Sequence, residues 1–138
     1  MSDDELRTAV RRFFEEVWNK GNVSETDAFL APEFVSHNTF DVRIVGPREY
    51  GAAVTDYRAA FPDLHTTLED VLVDGDRVVV RGTDRGTQRG DFMGIPASGR
   101  EVTTTWIEIF RMENGKAAEG WLEADTATLR NQLVAEPS

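Results

Sequence analysis

The chain has 138 residues, 40% of them hydrophobic, no cysteine, and a formal net charge of −10 from 25 acidic against 15 basic residues. That length makes one ordinary domain, residues 1–138, with enough apolar content to bury a core. The composition excludes disulfides and thiolate metal sites, and the negative charge repels phosphate backbones and anionic lipid heads, so neither nucleic acid nor a membrane is an expected partner.

No apolar run approaches the length of a membrane span. The N-terminal Met-Ser-Asp-Asp-Glu is acidic where a signal peptide is basic and then greasy, so the expected location is cytoplasmic. Leu6, Val10, Phe13, Phe14, Val17 and Trp18 then form one stripe of a helix that Gly21 ends. Ser24 with Asp27 resembles a capping box for a short second helix through Leu30, stopped by Pro32. Phe34 to Asn38 reads as a short extended piece. Gly46-Pro47 opens a third helix carrying Tyr50, Val54, Tyr57 and Phe61, closed by Pro62.

The period then changes from 3.6 to 2. Strands are predicted over 65–73, 77–87, 100–112 and 116–124, with turns at Asp74-Gly75-Asp76 and Glu113-Asn114-Gly115. Thr126 to Val134 forms a last short helix, capped by Asp125 or Thr126. Helices followed by a meander of long strands give an α+β fold, in which a curved sheet wraps the helices and leaves a cone.

The stretch from Gly86 to Arg100 is the most informative part of the chain. Its glycines and Pro96 preclude a strand interior, while Phe92, Met93 and Ile95 are too apolar for an idle solvated loop. They are expected to form the wall or lid of a pocket. The two histidines, His37 and His65, are isolated, and nothing has the spacing of a zinc motif. Glu119, Trp121, Glu123 and Asp125 alternate along the last strand and therefore share one face. Either that face lines a wet pocket, or Asp125 caps the last helix while Glu119 and Glu123 are solvated. On the preceding strand Thr104, Trp106, Glu108 and Phe110 face one way and Thr103, Thr105, Ile107 and Ile109 the other. Arg81, amid Val78-Val79-Val80, is a candidate for a buried pair with an acid. Trp18, Phe14, Tyr50 and Tyr57 suit helix-to-sheet packing, with ligand contact as the alternative.

Taken in order, several segments resemble the SnoaL-like polyketide cyclases, often labelled ester cyclases, of the nuclear-transport-factor-like superfamily. They are Phe13-Phe14…Val17-Trp18-Asn19…Gly21, Ala31-Pro32-Glu33-Phe34-Val35-Ser36-His37, and Phe61-Pro62-Asp63-Leu64-His65. Gly75-Asp76-Arg77-Val78, the loop from Gly86 to Pro96, and Phe110-Arg111…Gly115-Lys116…Glu119-Gly120-Trp121…Asp125…Gln132-Leu133 complete the resemblance.

The resemblance implies a cone-shaped, mixed-sheet α+β barrel of the cystatin-like type with a pocket inside. It implies closure of a ring by intramolecular aldol condensation, or a related isomerisation by proton transfer, with no metal and no cofactor. The acid/base would be Asp125, with His37 facing the pocket. Trp18, Gln88, Trp121, Phe92, Met93, Tyr57 and Arg81 would contact a small hydrophobic or polyketide-like molecule. The family's loop usually reads Gly-Thr-His, and here Gln88 stands at the histidine position. Two other readings stay open: a non-catalytic small-molecule-binding or dimerisation module, and an epoxide or ester hydrolase using Arg81 with Asp125. An open sheet of this kind also predicts a homodimer.

Overall fold

The computed structural model describes residues 1–38 and 43–134. Helix α1 spans Asp3–Phe13, and at its start the Ser2 hydroxyl and the Glu5 carboxylate each accept from the other residue's backbone N–H in a capping box. That arrangement satisfies two otherwise orphaned N–H groups and contributes about 1 kcal/mol. From Phe14 to Asn19 the helix widens into π-helical turns. A uniform α-helical stripe does not anticipate this change, which carries Phe14 and Trp18 together onto the inner wall of the molecule.

The second helix is shorter than expected. A 3₁₀ turn, Val23–Glu25, leads into α2, Thr26–Phe29, where the Thr26 hydroxyl donates to Val23 O and Ser24 donates to Asn22. Pro32 does not merely stop the helix. It lies inside strand β1, Leu30–Asn38, where the pairing to the neighbouring strand breaks register between Leu30 and Val35. A missing N–H is tolerated at such an irregularity.

A two-residue strand β2, Ile44–Val45, precedes α3, Gly46–Ala60, with Pro47 in its first turn. The remaining strands are β3 (His65–Asp74), β4 (Arg77–Thr87), β5 (Glu101–Glu113) and β6 (Lys116–Ala124), followed by α4 (Thr126–Val134). Strands β3 to β6 match the alternating pattern within a residue or two. The β5–β6 turn has Asn114 and Gly115 at φ of 53° and 79°, the left-handed region that Asn-Gly hairpins favour.

The six strands form one mixed sheet in the order β2-β1-β6-β5-β4-β3. β1 runs parallel to β6 and every other pair is antiparallel. The end strands β2 and β3 do not pair with each other, so the sheet is curved and open rather than closed into a barrel. Bulges between Leu68 and Asp70 and between Arg111 and Met112 bend the strands locally.

Helices α1 and α3 pack on the concave face. Phe13, Phe14, Phe29, Phe34, Tyr50, Trp106 and Phe110 meet there in one aromatic core. A second cluster, Ala60, Phe61, Leu64, Val102, Leu129 and Leu133, closes the far end beneath α4. Gln132 clasps the edge of β5 there, exchanging both its amide groups with the Thr103 backbone.

Candidate active site

Strand parity builds the site. On β4, Val78, Val80, Gly82 and Asp84 point to the concave face, and on β5 Thr104, Trp106, Glu108 and Phe110 do. Gly82 opposes Trp106, and a Cβ there would lie 2.2 Å from the indole Cζ2. The glycine therefore lets the indole lie across β4. That placement carries the Trp106 Nε1–H to Asp84 Oδ1 at 2.8 Å, and the Thr66 hydroxyl donates to the same oxygen at 2.5 Å. Phe14 stacks on the Trp106 ring at 5.1 Å.

Between this wall and α3 lies a cavity of about 380 Å³, within the usual range for a small-molecule site. Phe14, Trp18, Tyr50, Tyr57, Phe92 and Trp106 supply aromatic walls, and Asp84, Glu108, Asp56 and Asp91 supply carboxyls. None of its described lining residues is Lys, Arg or His. The described residues contain no cluster of three or more His, Cys, Asp or Glu side chains able to hold a metal ion.

Glu108 is 3% exposed, and no hydrogen-bond donor reaches its carboxyl among the described residues. Burial, and secondarily the nearby Asp84 charge, push its pKa up to about 8. Burial also raises Asp84, but the hydrogen bonds from Thr66 and Trp106 oppose that shift by favouring its ionised form. Two carboxyls on adjacent strands therefore meet different surroundings. One is an acid that keeps its proton near neutrality; the other also has a raised pKa, but two donors on one of its oxygens favour its ionised form.

The loop after β4 closes the mouth. Phe92 and Ile95 exchange backbone hydrogen bonds around Met93 and Gly94, whose φ values are 52° and 74°. Gly90 lies against the end of α3, where a Cβ would sit 3.0 Å from Ala59 O. Arg89 N–H and Gly90 N–H donate to Ala60 O, and Phe92 packs edge-on against Tyr57 and Phe61. Phe92 and Met93 line the cavity as the loop's composition predicts, whereas Ile95 packs against the second apolar cluster instead.

A second line of observation concerns relatives. The profile of the SnoaL-like polyketide cyclases matches residues 8–133. The chain belongs to the SnoaL-like polyketide cyclase family. Among curated relatives, the aklanonic acid methyl ester cyclase DauD of Streptomyces sp. strain C5 is 28% identical over 111 residues, covering 78% of this chain and 68% of that protein. DnrD of Streptomyces peucetius, also an aklanonic acid methyl ester cyclase, is equally similar, with 78% and 75% covered. TsrD from Streptomyces laurentii is similar in structure, with a TM-score of 0.87, 33% identity, and 99% and 100% of the two chains covered. A Jannaschia sp. CCS1 protein assigned to the SnoaL-like polyketide cyclases gives a TM-score of 0.89 at 27% identity, with 99% and 98% covered.

Within this SnoaL-like fold the residues expected at the site divide in two. Trp18, Tyr57, Phe92 and Met93 line the cavity. The other five do not. Asp125 is exposed and caps α4, accepting from Thr128 N–H at 3.0 Å, which holds its pKa below the ordinary value. His37 and Trp121 lie on the convex face, stacked at 5.9 Å, with His37 Nε2 2.9 Å from Glu119 Oε2 and Arg77 over the indole. The physical reason is parity: Phe34, Ser36, Gly120 and Leu122 take the inward positions of β1 and β6, so His37, Glu119 and Trp121 face out.

Arg81 is also on the convex face, half exposed and paired to Asp70 at 2.7 Å rather than to a buried acid. Gln88 is fully buried, but it serves the loop instead of a ligand. Its amide donates to Ile95 O and accepts from Ser98 N–H, pinning the loop across its base.

Sequence reasoning missed Asp84 and Glu108 as site residues. A signal existed: each is an acid at a position whose neighbours two residues away are apolar or glycine. Glu108 stands between Trp106 and Phe110, and Asp84 between Gly82 and Gly86.

Proposed function

We propose that the chain closes a ring in a neutral, polyketide-like ester by cofactor-free intramolecular aldol chemistry, with Asp84 as base and Glu108 as acid. The observation that carries this reading is the pair of dissimilar carboxyls facing one aromatic cavity. Asp84 Oδ2 takes a proton from the carbon between two carbonyls, and the C–H electron pair becomes the enolate. The enolate carbon bonds to a ketone carbon of the same molecule, and the ketone oxygen takes its proton from Glu108. Return of the proton from Asp84 to Glu108 resets the site, so the cycle needs proton transfers only. An anionic substrate would meet four carboxyls and no described cation, which favours an ester over a free acid.

The test uses aklanonic acid methyl ester, the compound in the names of the curated relatives. Wild-type protein is expected to close its ring and to exchange its acidic hydrogen with deuterated solvent. D84N is expected to lose both, while D125N keeps both. The reverse outcome would restore Asp125 as the acid/base and reject Asp84.

The convex face supports the homodimer proposal. Leu72, Val79, Ile109 and Trp121 lie opposite one another across β3, β4, β5 and β6, forming an apolar row on the outer surface. Leu72 and Ile109 are 59% and 37% exposed. A second copy related by a two-fold axis would cover this row.

A further inference from the structure

We infer that Tyr50 donates a second hydrogen bond to the ketone oxygen that Glu108 protonates, with Trp18 as the residue that positions its hydroxyl. The inference rests on the ring-closing reading above and adds a catalytic residue to it.

The argument is an accounting of protons and acceptors. Tyr50 is 4% exposed and lines the cavity from α3. Its hydroxyl oxygen accepts from Trp18 Nε1 at 2.9 Å, which fixes one lone pair and turns the O–H away from the indole. No acceptor takes that O–H among the described residues, and the Glu108 carboxyl likewise has no partner. Two buried donors without acceptors therefore share the Glu108 side of the cavity. By contrast, Thr66 and Trp106 are already committed to Asp84 Oδ1, and the further unpaired buried hydroxyl, Thr104 Oγ1, lies opposite Asp84 on β5.

Buried donors are rarely left unpaired, and these two lack only an oxygen that a substrate would bring. No described lining residue is cationic, so neutral donors must carry the negative charge that develops on that oxygen. Tyr50 suits this role. Burial above all holds its pKa well above the ordinary tyrosine value, so it remains a protonated donor throughout the working range. The bond it receives from Trp18 polarises the O–H and strengthens its donation.

Trp18 reaches this position because the helix widens after Phe13. Its ring is held edge-on between Tyr50 and Tyr57, each at 5.9 Å. Trp18 acts through Tyr50 and is a positioning residue.

Ring closure and deuterium uptake, measured together on aklanonic acid methyl ester, isolate this role. Uptake needs only Asp84 and the acidic carbon, whereas closure also needs the donors on the ketone oxygen. Y50F is expected to slow closure by about a hundredfold or more while uptake stays near the wild-type rate. W18F is expected to give the same pattern with a smaller loss of closure. Closure by Y50F at the wild-type rate would overturn the inference. So would a parallel loss of closure and uptake, which marks a merely structural tyrosine. Uptake that survives in D84N would instead overturn the Asp84 assignment, and a wild-type chain inert toward this ester would overturn both.

Discussion

The two faces of the sheet use the same residue types to opposite ends. Glu108 on the concave face has no hydrogen-bond donor among the described residues, and burial pushes its pKa up to about 8. Glu119 on the convex face receives a hydrogen bond from His37 and another from Arg111, and both draw its pKa down. Asp84 and Asp70 differ in their partners: the first is held by neutral donors inside, the second by Arg81 outside. Acidity here follows from which side of the sheet a carboxyl occupies. The concave face retains protons that chemistry can use, and the convex face neutralises its acids with cations.

D84N removes the inner carboxylate function directly. It should lower ring closure by at least about a hundredfold, as expected for loss of a positioned base. A steady-state assay comparing it with D125N checks the result. On the convex face, I109E should turn the dimer into a monomer by placing charge in the apolar row, as read by sedimentation at micromolar concentration. A wild-type chain that is already monomeric would end the dimer proposal.

A third experiment targets the backbone that sets the inner face. G82A should displace the Trp106 ring and cost about 1–3 kcal/mol, the usual penalty for overpacking. Chemical denaturation measures that cost, and Trp106 fluorescence reports the lost indole contact with Asp84. An unchanged midpoint would mean that the indole has another place to go.

The last experiments concern pH. Because the folded pKa of Glu108 lies above its unfolded value of 4.5, the native state binds more protons than the unfolded chain between about 4.5 and 8. Stability is therefore highest below that window and falls as pH rises through it. The full displacement is worth a few kcal/mol at most, at about 1.4 kcal/mol per unit. E108Q should flatten the profile and be more stable than wild type above pH 8, as measured by melting across the range. E119Q, on the convex face, should shift the melting temperature far less than E108Q, because a solvent-screened pair contributes little.

Much of the architecture was legible in the sequence, and much of the site was not. The 3.6-residue stripe from Leu6, Pro47 at the start of α3, the two glycine turns and the alternation from His65 onward each named an element. Local geometry dictates these features, and distant contacts do not alter them. The loop from Gly86 to Arg100 also declared itself, because glycines and large apolar side chains together need a surface to cover. Other features escaped: the π-helical widening at Phe14, the two residues of β2 and the parallel pairing of β1 with β6. Each of these depends on packing between segments far apart in the chain.

The site residues divide along the same line. Trp18, Tyr57, Phe92 and Met93 were found because bulky apolar groups identify themselves wherever they lie. Asp125, His37, Trp121 and Arg81 were misplaced because alternation tells which residues share a face without telling which face is inside. On β5, Thr103, Thr105, Ile107 and Ile109 are as apolar as Thr104, Trp106, Glu108 and Phe110, so the pattern is nearly symmetric. The tie is decided by bulk. Gly82 and Gly120 leave room on one side for Trp106 and Phe34, and the helices can close only over that side. The sequence by itself determined the elements and the family, because both are carried by local order and spacing. Only the tertiary structure decided which carboxyls lose their water, because desolvation comes from helices and strands assembled around them.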